Sequence, residues 1–243
     1  MNTSVGDTDI KIFYSLEKAL LEPANVKILD LHYQDLSEFP DEILRFENLE
    51  ELILWNNQLQ YIPEKISNLK KLRILDISGN RIITLPSSIA ELANLEVLVI
   101  SWNKLRELPE SIGNLVKLKK LGLNNNKIKE LPASIGNLVN LNEFVVSENE
   151  LRYLPDSIGN LVNLEKLRLP GNFLTKVPDS ICNLKNLIKL EIQENNLTEI
   201  PQNIGQLKKL EKIRLFKNLL VTLPDSFCEL ISLKKLLCYE NEL

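Results

Sequence analysis

Nine prolines fall 23 residues apart, at Pro40, Pro63, Pro86, Pro109, Pro132, Pro155, Pro178, Pro201 and Pro224. Of the 11 prolines in the chain, only Pro23 and Pro170 lie outside the series. A fixed period of this length confines the chain to architectures built from one supersecondary unit repeated. Each unit is too small to bury its own apolar face and becomes stable only when stacked on its neighbours. The units start at Val26, Leu49, Leu72, Leu95, Leu118, Leu141, Leu164, Leu187, Leu210 and Leu233. Residues 26–243 then form nine full repeats and a truncated tenth with no insertion, behind an N-terminal segment of residues 1–25.

The unit reads LxxLxLxxNxLxxLPxxIxxLxx. The fifth copy shows it plainly, from Leu118 through Leu121, Leu123, Asn126, Ile128, Leu131, Pro132, Ile135 and Leu138. Leucines at positions 4 and 6 alternate with variable residues, the period of a strand with one buried face. Position 9 is asparagine from Asn57 to Asn241, with Gln34 in the first copy. Its amide can satisfy backbone groups where the chain turns out of the strand, and stacked copies form a ladder. The proline suits the first turn of a short helix, where its missing N–H is not needed. Acids follow it in Asp41, Glu64, Glu110, Asp156, Asp179 and Asp225, as a helix N-terminus favours.

An array of this kind needs covered ends. Ile10, Ile12, Phe13, Leu16, Ala19 and Leu20 have roughly helical spacing, which predicts an amphipathic helix over 9–22 capping the first strand. At the other end the sequence stops at Leu243, position 11 of its unit; either the parent protein continues, or the open edge strand is covered by another molecule, a route to self-association.

This consensus resembles that of leucine-rich repeat proteins over about nine tenths of the chain. The LPxxIxxL form is similar to two groups, the repeat family expanded in pathogenic leptospires and the eukaryotic Ras-group of intracellular scaffolds. The leading segment Tyr14-Ser15-Leu16-Glu17-Lys18-Ala19-Leu20, then Val26-Lys27-Ile28-Leu29-Asp30-Leu31, looks more like the leptospiral cap. The resemblance implies an α/β horseshoe solenoid, with a parallel sheet on the concave face and short helices or 3-10 turns on the convex face. It also implies protein–protein recognition and supplies no catalytic residues.

Composition narrows the function further. Basic residues number 29 and acidic ones 33, a net charge of −4, so nucleic acid is not the expected partner. No apolar run approaches the roughly 18 residues needed to span a bilayer, so membrane insertion is not expected. The single histidine, His32, lies beside Asp30, a poor metal site without further ligands. Cys182 and Cys228 share position 19 two repeats apart, about 10 Å between backbones and too far for a disulfide. Cys238 takes core position 6. The odd cysteine count and the lack of a basic, then apolar leader point to the cytoplasm, or to export if a leader has been removed. No cofactor and no catalysis are expected.

Positions 2, 3, 5, 7 and 8 are expected on the concave surface. Repeats 1–4 place Ile28, Tyr33, Ile53, Trp55, Ile74, Val97, Val99 and Trp102 there, including both tryptophans of the chain. Strand preference alone accounts for the valines but not for two tryptophans. Tyr33, Ile53, Trp55, Val99 and Trp102 are therefore the expected partner-binding residues. A second row, Lys166, Arg168, Lys189, Lys212 and Arg214 with Phe216, could meet an acidic partner. The simpler account of that row is a solvated strand face kept soluble by charge. The expected function is a non-catalytic module that binds an unidentified protein through its concave face. The alternatives are an exported adhesin for host protein or glycan, and a subunit assembling through the open C-terminal edge.

Overall fold

The computed structural model describes residues 11–243. Eleven strands form one parallel sheet in strict sequence order. They are β1 (Ile12–Phe13), β2 (Ile28–Asp30), β3 (Glu51–Ile53), β4 (Ile74–Asp76), β5 (Val97–Val99), β6 (Lys120–Gly122), β7 (Glu143–Val145), β8 (Lys166–Arg168), β9 (Lys189–Glu191), β10 (Lys212–Arg214) and β11 (Lys235–Leu237). From β2 onward each strand covers positions 3–5 of its repeat and pairs in the same register, Leu29 with Leu52, Leu52 with Leu75, Leu75 with Leu98. Position 4 points into the solenoid and is buried from Leu29 to Ile213, with Phe144 taking the place of an aliphatic residue in β7. Parallel sheets are usually covered on both faces; here only one face is, which frees positions 3 and 5 for the concave surface.

The return path on the convex side is a 3-10 turn in every full repeat, such as Glu110–Asn114 and Ala133–Asn137. The expected place of the prolines is corrected by one residue. Pro132 precedes the turn rather than opening it, with extended backbone (φ −63°, ψ 149°), and its carbonyl accepts from Ile135 N at 3.0 Å. A capping residue must offer its carbonyl but has no use for its N–H, so proline costs nothing there.

The asparagine column bridges backbones. Asn126 Oδ1 accepts from Leu105 N of the preceding repeat at 2.9 Å, while its Nδ2 donates to Ile100 O and Leu123 O, each at 3.0 Å. One buried amide thus satisfies groups on two repeats and makes their stacking and their turn geometry a single event.

The N-terminal end differs from the expected helix over 9–22. Residue 9 and Ile10 lie outside the described residues. From Ile12 the chain is a strand, with Ile12 and Phe13 paired to Ile28 and Leu29 of β2. Helix α1 spans only Leu16–Leu21, with the Ser15 hydroxyl accepting from Lys18 N at 3.4 Å. Phe13 is buried and Ile12 exposed, so the apolar pair follows the twofold period of a strand; Ser15 then resets the chain to a helix. At the far end β11 pairs only with β10, and Leu236, at the core position, is 38% exposed.

Candidate binding surface

The strand register decides which concave side chains meet. Residues 23 apart sit in one column on adjacent strands, as His32 and Trp55 do, and Tyr33, the next residue after His32, joins them. The His32 and Trp55 rings stack, centroids 5.0 Å apart and planes within 6°. Tyr33 meets Trp55 edge to face at 4.6 Å. Asp30 Oδ1 accepts from His32 Nδ1 at 2.6 Å and so fixes the imidazole. Among the described residues no third His, Cys, Asp or Glu joins that pair to form a metal-binding group. His32, set aside in the sequence as a poor metal site beside Asp30, is the third member of an aromatic corner; its 23-residue offset from Trp55 is the signal that could have found it.

Trp102 stands apart from the corner, two repeats from Trp55 and 66% exposed. It lies where the chain leaves the sheet, and its backbone is left-handed, φ +56°. Position 8 adopts this conformation in every repeat, with φ between +51° and +63°, whether the residue is Gly79, Asn125, Tyr33 or Trp102. Bulky side chains are strained there. Ile53 and Val99 are half-buried on the sheet, and Val99 leans over Gly122: a methyl on that glycine would come within 3.1 Å of Val99 Cγ1. Ser78 and Ser101 occupy column 7 between the two tryptophans, leaving a floor of small side chains between them.

The charged row of the later repeats forms a single network. Lys166 and Arg168 lie 3.7 and 3.6 Å from the Glu143 carboxylate. Lys212, Arg214 and Arg168 converge on Glu191 at 2.9, 3.5 and 3.4 Å. Glu191 is only 7% exposed. Burial pushes its carboxyl upward, but the hydrogen bond from Lys212 and the charges of Arg214, Lys212 and Arg168 outweigh that and hold it below the usual carboxylate range. Beside the network Phe216 and Tyr239 stack with centroids 4.7 Å apart and planes within 5°. Lys189 completes the row in β9. A separate ladder on column 2 alternates Lys27, Glu50, Arg73, Glu96 and Lys119, with contacts from 2.7 to 3.8 Å.

Among the described residues no helix is long and apolar enough to cross a membrane. A family model described as a leucine-rich repeat region matches residues 18–115 and 97–176, and a second, described as leucine rich repeat, matches 162–220. A leucine-rich repeat protein of Leptospira interrogans is 38% identical with a TM-score of 0.91, over 95% of this chain and 59% of that one. The chain therefore spans about three fifths of that protein's length. The plant peptide hormone receptor RGFR1, solved in complex with RGF2, is 30% identical with a TM-score of 0.64, over 84% of this chain and 42% of that one. The PEPR1–AtPEP1 structure is also 30% identical, with a TM-score of 0.68 over 88% and 34% of the two chains. No curated protein matches the chain.

Proposed function

The chain belongs to the leucine-rich repeat family, and on that premise we propose that it is a non-catalytic module that holds a protein partner against its concave sheet. The observation that carries this reading is the His32–Tyr33–Trp55 corner, three mutually packed rings on the outer face of a rigid sheet. Stacked, preoriented aromatics lose little entropy on contact and are the side chains that dominate interface energies. Ile53 and Val99 extend the apolar area, and Trp102, exposed in a strained backbone, supplies a second anchor. The RGFR1 and PEPR1 structures, each described with a second component, RGF2 or AtPEP1, support a peptide or protein as the class of ligand.

The test is affinity capture with wild type and with a Trp55→Ser/Trp102→Ser variant whose fold is checked by circular dichroism. The captured protein is then purified and titrated against both. Binding by wild type that the variant loses supports the reading; equal affinity for both removes the aromatic residues from the interface.

A further inference from the structure

We propose that the concave sheet of β8–β11 receives an acidic polypeptide segment, laid across the strands over Lys189, Lys235 and the Phe216–Tyr239 stack. This rests on the concave-face reading above but not on the His32–Tyr33–Trp55 corner.

The outward columns of β7–β11 carry the cations Lys166, Arg168, Lys189, Lys212, Arg214 and Lys235 against the carboxylates of Glu143 and Glu191. Both carboxylates are already engaged, Glu143 by Lys166 and Arg168, Glu191 by Arg168, Lys212 and Arg214. Lys189 and Lys235 enter no ion pair among the described residues, so the surface keeps an excess of positive charge. The opposite end of the same sheet is its inverse: β2–β4 present Asp30, Glu51 and Asp76 in these columns and no lysine or arginine. Repulsion there and attraction at β8–β11 confine an acidic segment to one end of the horseshoe.

A second observation points to a ligand. Gln193, in the same column as Phe216 and Tyr239, is 7% exposed, and its Oε1 has no hydrogen-bond partner. The Nε atoms of Arg168 and Arg214 are likewise buried without one, near enough to Glu191 to pair in charge but not aligned to donate to it. Buried polar atoms are ordinarily satisfied. One unsatisfied acceptor flanked by unsatisfied donors suits a peptide, whose backbone N–H meets Gln193 once that side chain turns outward and whose carboxylates meet the cations. Lys189 and Lys235 are two strand spacings apart, roughly 10 Å, the reach of about three extended residues. The stacked rings give an apolar residue of the segment a surface to lie on. Exposed Glu148 and Glu240 line the turns beside the sheet, with Glu194 paired to Lys217 between them, and oppose a continuous phosphate backbone, which favours polypeptide over nucleic acid.

The test is fluorescence anisotropy with a labelled synthetic peptide of glutamates around one phenylalanine, a lysine counterpart, and a single-stranded oligonucleotide of equal charge as competitor. The glutamate probe is expected to bind, to weaken as salt rises, and to lose about tenfold or more in affinity in Lys189→Glu/Lys235→Glu. Those lysines hold no internal ion pair, so the fold survives their reversal. Glu191→Gln, which frees three cations, is expected to bind the probe more tightly, and Lys65→Glu, exposed on the convex turn Glu64–Asn68, to bind it unchanged. Equal affinity for glutamate and lysine probes, unchanged affinity in the double reversal, or displacement by the oligonucleotide as effective as by unlabelled glutamate peptide would overturn the proposal. Retained glutamate binding alongside a failed tryptophan capture experiment would reject only the aromatic anchors.

Discussion

The imidazole of His32 lies flat against the indole of Trp55, centroids 5.0 Å apart, although 23 residues separate them in the chain. That stack shields one of the two tryptophans, while Trp102 stands 66% exposed. Single-tryptophan variants separate them: acrylamide should quench the fluorescence of Trp55→Phe, which reports Trp102, more steeply than that of Trp102→Phe. Equal slopes would contradict the shielded corner.

Trp102 holds φ at +56°, a conformation that costs a bulky residue roughly 1–2 kcal/mol. Trp102→Gly is therefore expected to raise stability by about 1 kcal/mol in urea unfolding while weakening capture of a partner. A variant that is both less stable and fully competent to bind would reverse both parts of this assignment.

Asn126 serves Leu105 N, Ile100 O and Leu123 O from a buried position, so Asn126→Ala leaves Leu105 N without a partner and takes one of two amide donors from Ile100 O, shared with Asn103, and from Leu123 O, shared with Asn149. The expected loss is about 2–3 kcal/mol. Asn241 makes equivalent bonds to Leu220 N, Leu215 O and Cys238 O but is only half-buried, and water can replace them. Asn241→Ala should cost clearly less. Chemical unfolding of the two variants side by side checks the difference.

Glu191→Gln leaves Arg168, Lys212 and Arg214 facing one another, and should destabilise the protein by about 1–3 kcal/mol at neutral pH. The Glu191 carboxyl is held below its ordinary value, so the folded state binds its proton less readily than the unfolded chain does. Its stabilisation is then present above the unfolded value, about 4.3, and is lost as pH falls through the folded one. The gap between wild type and Glu191→Gln should therefore narrow below about pH 4. A gap independent of pH would assign Glu191 a packing role instead.

The three thiols differ by position. Burial, reinforced by Asp179, pushes the Cys182 thiol up to about 11. Cys228 is exposed and Cys238 half-buried. Titration of the native protein with a thiol-specific disulfide reagent should modify Cys228 first and Cys182 only on unfolding. Fast modification of Cys182 in the native state would place that residue wrongly in the core.

The strands, their order and their core positions were legible because the 23-residue period forces every copy into one register; Leu29, Leu52 and Leu75 pair as their spacing requires. The cap was not, because two apolar residues, Ile12 and Phe13, fit a helical stripe as readily as a strand over so short a stretch. Ser15, which starts the helix, was the usable cue. At the surface, Tyr33, Trp55 and Phe216 were legible as concave residues; the ring neighbours His32 of Trp55 and Tyr239 of Phe216 follow from the 23-residue offset within column 7. The left-handed backbone of position 8 stayed hidden because Trp, Tyr, Glu and Lys occupy it beside the informative Gly79, Gly171, Asn56 and Asn125. The orphan atoms of Gln193, Arg168 and Arg214 depend on side-chain rotamers, which no spacing encodes.

The shared amides make each boundary between repeats chemically equivalent to the next. Asn126 treats the repeat before it as Asn103 and Asn149 treat theirs, through bonds of nearly the same length. A gene encoding such a chain can therefore gain or lose whole units by recombination between its own similar segments, and each product closes its joints as before. Any such change alters the reach of the solenoid in steps of one unit, lengthening or shortening the concave surface while the contents of each column are free to change separately.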